Sequence, residues 1–515
     1  MIITIILLFT LFLGLNVTIP FILLQSVFVP LLAILAVALF GPRLGKKTGW
    51  IAVASLVYTT SLLLISGLDI LRKGSPILEE YSWTTFPSLT IKVGFFADGL
   101  SLPVALVVSI VTLVCALYSI PYLEHRIEEL YDEGRNGLYT VYYASFLFFA
   151  IGLVGVSLST NLVALFIFLE LLLIPPYMLI GLFGYGKKKR IAMIYFVWNH
   201  VGAAFFLIGI VLVVIYTGSF EVNAISSLAG TSIAFWVVFF MVIGWLVKMA
   251  TFGFHIWLPH AHGNTPTAIA PIIAAIVGLG NYVLVRLLVG QLFDVFQIFS
   301  MPLMVLALIT MIYGGMLTIA QDDIKNLYAC STIGQTAYSL LGIASLSLFG
   351  LAGGIFYFLS HILGKGILFH VAGIVVTQTG TRNIKKMGGL VSKMPMTTIL
   401  CASGSLLLAA LPPLSGFQAK WIMFGGIFTD AAGSTPKLII AIAAIFAAFL
   451  TPMYTIWPLR RIFFGKLPDS LQHVKEAPLS MTAPLLIFVI TSLVLGLYPD
   501  LVMDFLTSYI STLPW

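Results

Sequence analysis

The chain has 515 residues, of which 60% are hydrophobic and only 9% charged, with a mean hydropathy of +1.09. No soluble globular protein of this size keeps so little polar surface, so the composition points to a polytopic membrane protein. The net charge of +7 sits in short loops between apolar runs, which reads as membrane topology rather than as affinity for nucleic acid.

Met1–Asn16 is apolar but lacks a basic n-region, so it is a poor signal peptide and a candidate for one extra span; Pro20 separates it from the next apolar run. Fourteen further runs are each near the twenty residues that a bilayer requires: 22–41, 49–67, 97–120, 138–159, 161–183, 191–216, 233–260, 266–291, 300–320, 326–347, 350–379, 397–430, 436–460 and 479–500. The expected fold is therefore all-α. Eighteen lysines and arginines fall in alternate loops, from Arg43, Lys46 and Lys47 through Lys187–Arg190 and Lys325 to Lys475. The opposite loops hold four: Arg72, Lys73, Lys92 and Lys437. That bias predicts basic loops in the cytoplasm and a C-terminus outside.

Four basic residues remain within spans: Lys248, Arg286, Lys365 and Lys420. Arg286 is close enough to the end of its helix to snorkel to the interface. The three lysines lie near mid-span, where a charge is costly without a partner or water. Glu170 is the single acid at mid-span; Asp98, in FFADGLSLP, suits a helix N-cap. One carboxylate and three ammoniums make a proton path, a salt-bridge scaffold, or both.

Five of the eight histidines share two spans with Lys248 and Lys365. His361 and Lys365 are four apart, on one helix face, and His370 is expected near the same side. His255, His260 and His262 come after Lys248, and a side chain titrating near pH ~6.5 suits relay work. No histidine pair adjoins a carboxylate, so no metal site is expected. Cys115, Cys330 and Cys401 form no CxxC pattern, and the chain has no Walker loop and no GxGxxG after a strand, so no cofactor is expected.

Two spans carry breaks, at HIWLPHAHGNTP after Lys248 and at LPPLSGFQAKW before Lys420. They stand five spans apart, which predicts two inverted five-helix repeats. The division is 1–137 for the N-terminal helices, 138–291 and 300–460 for the repeats, and 461–515 for the C-terminal loop and last span.

ADGLSLP (97–103), FLELLLIPPY (168–177), LVKMATFGFHIWLPHAH (246–262), DDIKNLYACSTIGQ (322–335), SHILGKGILFH (360–370), IKKMGGL (384–390) and LPPLSGFQAKW (411–421) occur in this order. Together they resemble the antiporter-like membrane subunits of respiratory complex I, Mrp-type cation/proton antiporters and membrane-bound energy-converting hydrogenases. The resemblance implies a fourteen-helix core with inverted five-helix repeats. It places the family's functional glutamate on Glu170, its partner lysine on Lys248, the eleventh-helix base on Lys365 with His361 one turn away, and the twelfth-helix group on Lys420. IAAIVGLGNYVLVRL lacks the eighth-helix lysine of many relatives, which leaves waters, His255 or another group to bridge that gap. Asn264 stands where many relatives have an acid. TRNIKKMGGLVSKMP resembles archaeal members, including membrane-bound hydrogenase and sulfur-reducing types.

The expected function is proton translocation by an antiporter-like subunit of a membrane-bound respiratory redox complex in the cell membrane. The chain itself would be non-catalytic. Its partners would be further antiporter-like and small hydrophobic subunits and soluble redox subunits carrying iron–sulfur clusters. Alternatives are an Mrp-type Na⁺/H⁺ antiporter subunit without redox chemistry, a helical scaffold locked by buried charges, and a catalytic redox subunit.

Overall fold

Hydrocarbon offers an exposed peptide group nothing to bond with, so apolar runs this long must satisfy their backbone internally. In the computed structural model, which describes residues 19–86, 89–131 and 136–514, nearly all of that length is helix. Ten helical stretches among the described residues are long and apolar enough to cross a membrane, by length and composition. The chain is an all-α polytopic membrane protein with one β-hairpin. Met1–Asn16, expected as an extra span, lies outside the described residues.

The first stretch is two helices, Ile22–Leu44 and Gly49–Lys73, joined by a 3₁₀ turn at Gly45–Thr48. They fold back on each other, so that Tyr58 reaches Gln25 at 2.5 Å and Thr59 bonds the Ser26 carbonyl at 3.1 Å. Strands β1 (Ile77–Phe86) and β2 (Leu89–Ala97) then pair antiparallel, Ile77 opposite Ala97 and Tyr81 opposite Val93. The sequence reading leaves this segment as loop, because the two strands alternate too weakly to stand out between spans. Its Glu79 carboxylate accepts from Leu23 N and Leu24 N and so caps the first helix.

Two helical stretches form the centre. The membrane windows of Thr267–Val289 and Leu348–Thr379 are each 94% buried, against 33% for peripheral Lys188–Thr217. Lipid tails are as apolar as leucine, so helices here associate by close packing rather than by hydrophobic sorting. Gly426 meets the Leu348–Thr379 helix so closely that an added Cβ would sit 2.0 Å from Gly350 N. Gly202 and Gly244 face each other in the same way, each 2.7–2.8 Å from the other's carbonyl oxygen once a Cβ is added.

At the hairpin end, Arg286 does not snorkel. It lies in a π-helical turn, Leu284–Val289, and makes a bidentate pair with Asp98 at 2.9 and 2.5 Å. Asp98 also accepts from Leu100 N and Ser101 N, the cap expected of it. The guanidinium is 4.7 Å from the ring of Tyr509, on a helix Asp500–Ile510 that comes after the last long stretch. Three parts of the chain thus meet on one buried charge pair.

At the opposite end, Lys325, placed in a loop by the sequence reading, is fully buried. Its Nζ donates to Thr265 O at 2.7 Å and lies 4.0 Å from the Tyr185 ring, which also meets Arg126 at 3.8 Å.

Asp98→Ala would leave the Arg286 charge buried and unpaired, at a cost of about 3–5 kcal/mol. A thermal melt of the purified protein in detergent should fall clearly. The double variant Asp98→Leu/Arg286→Met should recover most of the loss. An unchanged melt for Asp98→Ala would show that the pair does not hold these elements together.

Candidate functional site

The site is built on two interrupted helices and the central one between them. Helix Ser232–Lys248 ends at Lys248, the chain unwinds through Ala250 (φ 53°) and Gly253 (φ 91°), and helix Trp257–Asn264 comes next. A non-glycine residue at positive φ is uncommon, so Ala250 marks a break that the surrounding packing imposes. The carbonyls it frees are taken up locally: Trp257 Nε1 donates to Val247 O at 3.0 Å, and Thr251 bonds Leu246 O through its amide and hydroxyl. The second broken segment repeats the device. Helix Pro395–Leu408 ends, Ala410 takes φ 58°, and helix Ser415–Ala431 starts after Pro412 and Pro413.

Lys248 is 2% exposed, with its stem against Gly202, where a Cβ would come within 3.2 Å of its Cγ. Among the described residues no acceptor bonds its ammonium. Glu170, the last residue of helix Leu162–Glu170, is within electrostatic reach but not in contact. Its Oε2 instead lies 4.0 Å from His200 Nδ1, and its Oε1 is buried without a protein partner. The carboxylate stands between two cationic candidates and is joined to neither.

Lys365 and His361 lie on the central helix Leu348–Thr379, both buried. The Lys365 ammonium donates to Tyr328 O at 2.6 Å and to the Ser331 hydroxyl. Neither ring nitrogen of His361 has a protein partner, and its neighbours in charge are Lys365, His262 and Lys420. His262, buried, bonds Ala270 O through Nε2 at 2.9 Å and stacks on Phe369 at 4.3 Å, leaving Nδ1 free. Lys420 takes the carbonyl freed by the second break, Leu408 O at 3.4 Å, and sits over the rings of Tyr338 (4.2 Å) and Tyr357 (5.0 Å). Tyr357 donates to the Gln335 side-chain oxygen, and the Gln335 amide reaches Tyr454 and Thr451.

Glu170 and Lys248 therefore face each other at one end, and His361, Lys365 and Lys420 gather at the other with His262 beside them. His255 is not among them: half-exposed, it bonds Tyr313 at 3.1 Å on the helix Phe293–Ile319. His370 turns the other way too, against Tyr118 at 4.1 Å. Nine residues make two and a half helical turns, which puts it opposite His361 rather than on the same side. The sequence reading overlooked His200, Tyr357, Thr451 and Tyr454 altogether. It quoted Tyr328, Ser331 and Gln335 without a role, although with Tyr338 they recur at steps of three and four along one helix face. Among the described residues no three His, Cys, Asp or Glu side chains converge on a point where a metal ion could sit.

The family described as NADH:quinone oxidoreductase/Mrp antiporter, transmembrane, matches residues 159–451, and that described as NADH-ubiquinone oxidoreductase (complex I), chain 5 N-terminus, matches 83–133. The chain is 31% identical over 453 residues to NAD(P)H-quinone oxidoreductase chain 4-2 of Synechocystis sp., covering 86% of this chain and 78% of that one. Its fold is similar to a chain of the Mrp complex of Dietzia sp. (TM-score 0.82, 19% identity, 96% and 98% of the two chains). It is also similar to a chain of the membrane-bound sulfane sulfur reductase, an archaeal respiratory membrane complex (TM-score 0.80, 25% identity, 95% and 77%).

Gln335→Leu would strip three buried hydroxyls of their shared amide, and a buried polar group without a partner costs about 1–3 kcal/mol. The melting temperature in detergent should fall, and an unchanged melt would mean that the hydroxyls find other partners.

Proposed function

The chain belongs to the NADH:quinone oxidoreductase/Mrp antiporter family of transmembrane subunits, and from that premise we propose how it works as a proton-translocating, antiporter-like subunit of a respiratory complex. The observation that carries the mechanism is the company its buried lysines keep. Lys365 bonds a carbonyl and a hydroxyl, Lys420 a carbonyl and two ring faces, and Lys248 no described acceptor at all. None of the three touches a carboxylate, while the chain makes firm ion pairs elsewhere, as at Asp98–Arg286 and Asp323–Arg382. A scaffold would use ion pairs at the buried lysines; neutral partners leave a proton free to move on.

A change in a redox partner alters the distance between Glu170 and Lys248. A proton passes from Lys248 through His262 to His361 and Lys365, and then to Lys420, from which the second half releases it outside. His262 stands on the short helix Trp257–Asn264 beyond the break, where it supplies a basic side chain that the Ala270–Val283 helix lacks. The basic loops face the cytoplasm and the C-terminus faces outward, supported by the eighteen-to-four loop bias. The path runs through two inverted five-helix units, 138–291 and 300–460, of a fourteen-span chain with 1–137 ahead and 461–515 behind. The parallel unwinding at Ala250 and Ala410 supports that repeat.

The chain acts beside other membrane subunits, and soluble iron–sulfur subunits supply the driving reaction. Within the family we place it with the archaeal hydrogenase or sulfur-reductase type, supported by the 381–395 loop and by its 25% identity to the sulfane sulfur reductase chain.

Lys248→Ala should leave the complex assembled and lower coupled proton uptake into membrane vesicles at least about tenfold, a loss of roughly 1.4 kcal/mol. Normal uptake by that variant would sink the mechanism. Purification from native membranes should bring down iron with soluble partners; small hydrophobic subunits alone would favour an Mrp-type Na⁺/H⁺ exchanger.

A further inference from the structure

Where helix Leu450–Phe463 leaves the membrane, its end and two short loops enclose a cleft of about 550 Å³. Its walls carry Lys385, Arg460, Arg461 and Lys466, and no acidic residue lines it. Lys385 is paired with Asp322 at 2.7 Å. Arg460, Arg461 and Lys466 have no carboxylate within 4.0 Å among the described residues, and the only hydrogen bond that orients one of them runs from Arg461 Nη2 to Lys385 O, at 3.3 Å. Three unneutralised cations around one concave space hold a standing positive potential.

The cleft is built rather than a chance meeting of loops. The 384–390 stretch, IKKMGGL, lies outside the proton path proposed above. Its Gly389, at φ +62°, donates to Phe464 O at 3.1 Å, and a Cβ there would lie 2.5 Å from Leu467 N. A Cβ at Gly388 would fall 2.8 Å from Lys466 O. Only glycines let the two loops pack backbone to backbone and bring Lys385 and Lys466 to the same space.

What lies beside the cleft identifies its occupant. Phe446, Phe449, Met453 and Trp457 are 45–68% exposed and recur at steps of three and four, a row that runs from the end of helix Thr435–Ala448 across the junction at Phe449 into helix Leu450–Phe463 and on to Arg460 and Phe464. The eleven steps from Phe446 to Trp457 span roughly 16 Å at 1.5 Å per residue, about the reach of one lipid chain. A cationic cleft that opens onto an apolar track at the membrane boundary matches an amphiphile with an anionic head. An acidic protein segment would need no such track.

We propose that this cleft binds the phosphate headgroup of an anionic phospholipid, whose chain lies along the Phe446–Trp457 face. The test uses the whole complex, purified in mild detergent from native membranes. Native mass spectrometry should find an anionic phospholipid retained on this subunit, and phosphatidylglycerol micelles should raise its melting temperature above that in phosphatidylcholine. Arg460→Gln/Arg461→Gln/Lys466→Gln should lower retention at least tenfold and abolish the difference between the two lipids, while Trp457→Ala should weaken retention without touching the charges. Stabilisation by inorganic phosphate equal to that by phosphatidylglycerol, with no lipid retained, would assign a free anion instead and overturn the lipid. Undiminished retention in the triple variant, or cross-linking of Lys466 chiefly to another subunit, would overturn the site.

Discussion

A charged amine within hydrocarbon must be met by an opposite charge, by polar groups of the protein, or by water. The chain solves this problem in two ways. Arg286, which stays protonated in any setting, receives a bidentate carboxylate and becomes a fixture that ties hairpin, central helix and C-terminal helix together. Lys365 and Lys420 receive dipoles and ring faces instead, and Lys248 no described acceptor. The buried arginine thus meets a carboxylate, and the mid-span lysines meet neutral groups.

The same economy explains the broken helices. Unwinding a helix inside a membrane releases carbonyls that need donors. At the first break an indole and a threonine meet that need, and at the second the donor is Lys420 itself. The break thus creates the polar environment that a buried ammonium requires, and the ammonium satisfies the break. At the second break, interruption and ammonium stabilise each other, and Lys420 stands just past it.

Much of this was legible in the sequence, for physical reasons. A charge within an apolar run is conspicuous, so Glu170, Lys248, Lys365 and Lys420 stand out in the sequence, and Pro412–Pro413 marked the second break, whereas the first unwinds at 249–256, ahead of most of the HIWLPHAHGNTP run, whose Pro259 lies within a helix. Neutral polar partners are quieter: Tyr357, Thr451 and Tyr454 look like ordinary membrane residues until the fold gathers them on Gln335, with the Tyr357 ring beside Lys420. Distance along the chain hid the rest. Nothing local tells Arg286 to pair with Asp98 rather than snorkel, nor Lys325 to turn inward to Thr265. His255 was misleading because it shares a segment with Lys248, yet the unwound stretch between them turns it out toward Tyr313.

The Asp98–Arg286 pair also bears on how the chain is made. Its partners are 188 residues apart in the sequence, so Asp98 emerges from the ribosome roughly 10–40 s before Arg286, at synthesis rates of about 5–20 residues per second. Over that interval the amino-terminal helices must wait at the membrane with an unneutralised acid at their edge. When the helix of Arg286 arrives, neither charge rests comfortably in lipid until it has found the other. The pair can close only once both parts of the chain are in place, so this contact between early and late helices is among those that form after both have been made.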